Sequence, residues 1–315
     1  PADAPRDRLG LARWLTAPEN PLAGRVAVNH LWQMLFGQGI VRTTEDFGLQ
    51  GERPSHPELL DWLAVDLVKH GWDLKRTLKL IVMSRTYRQD SAVSAALLAK
   101  DPENRLLARG ARFRLPSWMI RDAALRSAGL FNPVLGGPPV RPYQPDGVWE
   151  ELFMGRFKYE ASEGPAQYRR TLYAFWRRSI APTFLFDSAQ RRSCEVRTGR
   201  TNTPLQALTL QNDATYLESS QAIAAELLRE GGDATRIQSL FRRVLSREAN
   251  DQEAALLGRT LMKARDHYRA QPAAAAQFLR VGQRVHADGA DLSELAAWTV
   301  VASLTLNLDE AITHE

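Results

Sequence analysis

Ser55-His56-Pro57-Glu58-Leu59-Leu60-Asp61-Trp62-Leu63-Ala64 decides the fold class, because it carries both a helix start and a helical period. Ser55 and Glu58 stand in the pattern of a capping box, the serine hydroxyl accepting from the Glu58 backbone N–H while the carboxylate reaches back. Leu59, Leu60, Leu63 and Leu67 then form a stripe on one helical face, ending at His70-Gly71. Asp73 caps a second helix carrying Leu74, Leu78, Ile81 and Val82, so the two make a helical hairpin. Upstream, Val28, Leu31, Trp32 and Leu35 keep the same spacing between Leu22 and Phe36, and Gly37 offers a C-cap. Downstream, a helix is predicted from Pro116 to Leu130.

From Phe131 to Thr203 the texture changes. Gly136-Gly137-Pro138-Pro139, Pro142, Pro145-Asp146-Gly147 and Gly164-Pro165 break any long period and predict an irregular segment with short strands at most. Helix returns at Thr203-Pro204-Leu205-Gln206, where Thr203 caps, Pro204 takes the first helical position and Gln206 closes the box. Further helices are predicted to start near Asp233, Asn250 and Asp291. The expectation is a mainly α fold in three parts: a helical part over residues 1–130, an irregular arginine-rich segment over 131–202 and a helical part over 203–315, packed as one body or as two close lobes. No period of 20 to 50 residues repeats, which argues against a solenoid.

Composition sets the outer bounds. The chain has 315 residues, 44% hydrophobic and 24% charged, which is globular and not disordered. No apolar run reaches the length of a membrane span. It opens at Pro1 with no signal peptide and reads as a piece of a longer, processed polypeptide. The single Cys194 leaves no internal disulfide and no thiolate-built metal site. The six histidines are scattered, so neither a metal nor another cofactor is expected. Haem-attachment, zinc-protease, nucleophile-elbow and phosphate-loop signatures are all missing. Net charge is +5 with a pI near 9.5, but the excess is local. Gln167 to Arg200 holds eight arginines against Asp187 and Glu195, whereas from Leu205 onward eleven bases face fifteen acids.

Several motifs, in order, carry a family resemblance. Asn20-Pro21-Leu22-Ala23-Gly24-Arg25, Asn29-His30-Leu31-Trp32, Phe36-Gly37-Gln38-Gly39-Ile40-Val41, Asp46-Phe47-Gly48, the Pro54 to Ala64 run, Gly71-Trp72 and Ser84-Arg85-Thr86-Tyr87-Arg88-Gln89 resemble the PSD1 family, also called DUF1553. So do Tyr168 to Tyr173, Phe186-Asp187, Cys194 to Arg197, Thr203 to Leu208 and Leu306-Asn307-Leu308-Asp309-Glu310. His30 departs from the family, which usually shows arginine there. The resemblance implies a planctomycete setting, export to the periplasm or cell surface, and DUF1549 and cytochrome c domains as partners on the same or a neighbouring polypeptide. It implies no activity.

Two clusters are candidates for function. Asn29, Trp32, Asp46, His56, Arg85, Tyr87 and Arg88 read either as a polar cleft, with Asp46 or His56 as acid or base, or as helix-end and core residues. Arg169, Arg170, Arg177, Arg178, Arg197 and Arg200, with Asp187, Thr203 and Gln206, read either as an anion site or as an internal network that orders a long loop. Cys194 reads as a reactive thiol or a structural one. The leading expectation is an accessory binding module for anions or anionic polysaccharide. Its alternative is a hydrolase for sulfated or acidic glycans that uses Asp46, His56 or Asp187. Tyr168 to Arg178 interleaves aromatics with arginines as a nucleic-acid platform does, but a charge of only +5 and an exported setting argue against that partner.

Overall fold

A computed structural model describes residues 4–177, 179–188, 195–196, 199–284 and 291–314. The fold is mainly α. It divides into two compact units, one built on residues 4–113 together with 195–196 and His314, and the other on the described residues between 114 and 313.

The first unit holds α1 (Arg8–Thr16), α2 (Ala23–Phe36), α3 (Pro57–Lys69), α4 (Leu74–Val82) and α5 (Ala95–Lys100). α2 and α3 pack through Val28, Trp32 and Phe36 against Leu60, Leu63 and Leu67, with Ile40, Val41 and Ile81 completing the core. Gly37 ends α2 at φ 77°, the left-handed position in which glycine carries no side-chain penalty. Asp73 caps α4 by accepting from the Arg76 N–H. Ser55 departs from expectation: α3 starts one residue later with His56 at its N-cap and no side-chain cap. The Ser55 hydroxyl and N–H instead donate to the Ile40 carbonyl, at 3.3 and 2.9 Å. A carbonyl from fifteen residues away outcompeted the local box.

The second unit opens with α6 (Ser117–Ser127) and, after a short α7 (Val148–Leu152), continues from α8 (Pro204–Asn212) through α9 (Ala214–Leu227), α10 (Asp233–Leu245) and α11 (Asp251–Ala270). It closes with α12 (Pro272–Phe278), α13 (Leu292–Leu306) and α14 (Asp309–Ile312). Apart from the two-residue pair β1 (Phe113–Arg114) and β2 (Thr313–His314), the described residues contain no strands. The Thr203–Gln206 box forms in both directions, and the Asn250 and Asp291 side chains cap α11 and α13. α13 is buried on nearly every side and lies against α9 and α11. Both helices bury small residues among larger ones, Ala222 and Ala224 in α9 and Ala296, Ala297 and Ala302 in α13, and Ser219, Ser220, Thr299 and Thr305 satisfy their buried hydroxyls on carbonyls four residues back. The break between α8 and α9, where Asp213 bonds the Thr215 N–H, has no helix-breaking residue to announce it.

Candidate functional site

The segment between α6 and α8 lacks regular ladders, so its shape depends on side chains that reach in from helices. α6 supplies two. Arg121, 1% exposed, donates to the carbonyls of Arg169 (3.0 Å) and Gln167 (2.9 Å) and to Thr171 Oγ1 (3.2 Å), with its guanidinium over the Phe184 ring. Burial lowers its pKa, opposed by the Asp122 carboxylate. Asp122 Oδ1 accepts from the Thr171 N–H and hydroxyl. α9 supplies Glu218, fully buried, which accepts from Tyr143 (3.0 Å), Tyr168 (2.9 Å) and the Gln283 N–H (2.8 Å). Burial, then the Glu218 carboxylate, pushes the Tyr143 and Tyr168 hydroxyls well above their ordinary pKa, so both remain donors at neutral pH. Gln283 in turn holds the Ser162 carbonyl and the Gly164 N–H.

On this frame sits a face of arginines and aromatic rings. Trp149 is completely buried, stacks on Phe153, Tyr159 and Phe175 and meets Phe157 at a tilt, with centroid distances between 5.1 and 5.7 Å. Its indole N–H donates to Gln144 Oε1, and the Tyr159 hydroxyl, raised to about 12 by burial, donates to the Pro142 carbonyl. Arg141 lies over Phe157 and Phe175, Arg177 over Phe153 and Phe157, and Arg170 over Phe131. Beside them an open groove of about 300 Å³ is lined by Gly137, Pro139 and the run from Leu172 to Trp176.

The arginines of the sequence cluster divide by role. Arg169 is buried, stacks on Tyr173 at 3.9 Å and donates to the carbonyls of Val134, Gly136 and Pro138. It orders the Gly-Pro turn. Arg170 is half-buried and Arg177 exposed, and neither forms an ion pair or side-chain hydrogen bond among the described residues. Arg200 is exposed. Arg178, Cys194 and Arg197 lie outside the described residues.

Asp187, Thr201, Thr203 and Gln206 do come together at the start of α8. Asp187, at φ 57°, accepts from the Thr201 N–H (2.7 Å) and hydroxyl (2.8 Å) and from Gln206 Nε2 (3.2 Å), and Gln206 also donates to Thr201 at 2.7 Å. Arg114 lies over Phe186 and donates to Asn202, and the Asp187 charge partly offsets its desolvation. Every Asp187 oxygen therefore holds a donor from its own loop.

The N-terminal signature lies in the other unit. Asn29, fully buried, clasps Val41 by donating to its carbonyl (3.0 Å) and accepting from its N–H (2.8 Å). Trp32 stacks on Phe36 at 4.0 Å, Phe36 meets the edge of Tyr87, and the Tyr87 hydroxyl lies 3.1 Å from His314 Nε2. Asp46 Oδ1 accepts from the Gly48 N–H, and His56 Nδ1 pairs with the Ser55 hydroxyl at 3.0 Å. Arg85 and Arg88 are exposed. Sequence reasoning missed Arg121, Asp122, Arg141, Glu218 and Gln283. One signal was available: Arg121 falls on the same helical stripe as Ile120, Ala124 and Leu125, and a charge there must be paired inside.

Among the described residues, no three histidine, cysteine or acidic side chains gather as a metal site, and no helix is long and apolar enough to cross a membrane. Fold and site define a mainly helical domain whose irregular, arginine-rich segment is held by buried side chains. Residues 7–261 match the family described as PSD1, a protein of unknown function (DUF1553), and the chain belongs to that family. No curated protein and no solved structure matches it.

Proposed function

We propose that this chain is a binding module for anionic polysaccharide and that its binding face is the arginine and aromatic surface between α6 and α8. The observation that carries the reading is a contrast in how arginines are neutralised. In the C-terminal helices Arg247 is shared by Glu253 and Glu310, and Arg265 by Asp233 and Glu294. Arg141, Arg170 and Arg177 have rings beneath them and no carboxylate partner among the described residues. Their charge is left for a ligand, and guanidinium offers planar, paired donors to sulfate or carboxylate. The adjoining groove is lined by the aromatic side chains Tyr173, Phe175 and Trp176, on which sugar rings can stack. The reading sets the module in an exported polypeptide beside DUF1549 and cytochrome c domains, as the family resemblance implies.

The test is titration of the full chain with sulfated, uronate and neutral glycans at low and high salt. Affinity for the charged polymers should fall steeply between about 0.05 and 0.5 M salt, as the Debye length shrinks. Arg170→Gln and Arg177→Gln should weaken binding of the sulfated polymer without lowering the melting temperature. Equal affinity for a neutral glycan, or none at low salt, overturns the reading. Turnover of the polymer would favour the hydrolase alternative and direct attention to Asp46, His56 and Asp187.

A further inference from the structure

Arg141 and Arg177 come from different stretches of the central segment yet meet at one ring. The Arg141 guanidinium carbon is 5.8 Å from the Phe157 centroid and the Arg177 carbon 6.0 Å from it. Phe175 lies 5.9 Å from Arg141 and also lines the groove. Both guanidinium groups therefore lie within about 6 Å of one phenyl ring, and among the described residues neither has an ion pair or a side-chain hydrogen bond. The rings beneath them pack against Trp149, whose own N–H is bonded to Gln144, so the aromatic surface under the two arginines is in place before any ligand arrives.

We infer that Arg141 and Arg177 clamp one sulfate ester of a polysaccharide whose sugar ring rests in the groove on Phe175. This rests on the binding reading above and names its ligand. The ester has three terminal oxygens pointing in different directions, so two separate guanidinium forks can each take hydrogen-bond partners on it. A uronate carboxylate has two oxygens in one plane, which a single fork satisfies, leaving the second arginine uncompensated.

The experiment compares a heparin hexasaccharide with a hyaluronan hexasaccharide, which carries carboxylates and no sulfate, by calorimetric titration of the full chain. Wild type should prefer heparin. Arg141→Gln and Arg177→Gln should each weaken heparin about tenfold, the factor lost with one charge-assisted hydrogen bond, and leave hyaluronan within about twofold. Arg141→Lys, which keeps the charge but not the fork, should behave like Arg141→Gln. Arg259→Gln on the exposed side of α11 controls for net charge and should change neither ligand. If heparin and hyaluronan bind wild type equally, or if Arg141→Lys retains full affinity, the clamp is wrong while the binding reading stands. If neither ligand binds wild type, the binding reading itself fails. Melting curves check that each variant is folded, and the lysine variant keeps the test decisive if a glutamine variant is not.

Discussion

Replacing Asn29 with alanine removes both hydrogen bonds that hold Val41 to α2. Val41 is 2% exposed, so its N–H and carbonyl would be left without a partner and without ready access to water. Each buried polar group stranded in this way costs about 1–3 kcal/mol, so the pair together costs about 2–6 kcal/mol, and partial opening toward solvent brings the expectation to about 3 kcal/mol. Asn29→Asp should also destabilise, because it keeps an acceptor for the Val41 N–H but sets a second acceptor against the Val41 carbonyl. Gly39 is part of the same clasp: a Cβ there would come within 2.6 Å of the Asn29 amide nitrogen, so Gly39→Ala should reproduce much of the loss. The assay is urea unfolding of the full chain, paired with hydrogen exchange at the Val41 amide. A change below about 0.5 kcal/mol with Val41 still protected would refute the reasoning and return Asn29 to the list of binding or catalytic candidates.

Arg121→Met should destabilise the chain by about 2–4 kcal/mol, since it strands the Gln167 and Arg169 carbonyls, and circular dichroism melting checks this. A melting point unchanged within error would show that water replaces the guanidinium. Gly282 is at φ 90° with an added Cβ only 2.7 Å from Glu218 Cδ, so Gly282→Ala should lower the melting temperature and raise exchange at the Gln283 amide. Asp66 and Asp233 are held below the usual carboxylate range, first by hydrogen bonds from Arg76 and Arg265. Because the folded pKa is depressed, their contribution to stability is complete above the unfolded value near 4 and is lost as pH falls through the lower folded values. The melting temperature should therefore hold from about pH 7 to 5 and drop below about 4, with a shallower drop in Asp66→Asn. A melting temperature that rises on acidification contradicts this.

Helix starts were legible wherever cap and partner lie within one turn. Asp73, Thr203 with Gln206, Asn250 and Asp291 each satisfy N–H groups two or three residues away, so no distant part of the chain needs to agree. Gly37 ends α2 for the same local reason. The mainly α class and the irregular stretch between α6 and α8 follow from period and punctuation alone. Ser55 shows the limit of such reasoning, since an equally good box lost its hydroxyl to the Ile40 carbonyl. Among the arginines the limit is sharper: Arg169 and Arg170 are neighbours of identical chemistry, yet one is buried on three carbonyls and the other stacks on Phe131 with no acceptor. Arg141 drew no notice in the sequence because its significance depends on Phe157 and Arg177, brought beside it by the fold. Backbone hydrogen bonding within a turn is decided by adjacent residues. Which charges are neutralised inside and which are left for a ligand depends on groups tens of residues apart, and only the tertiary structure decides that.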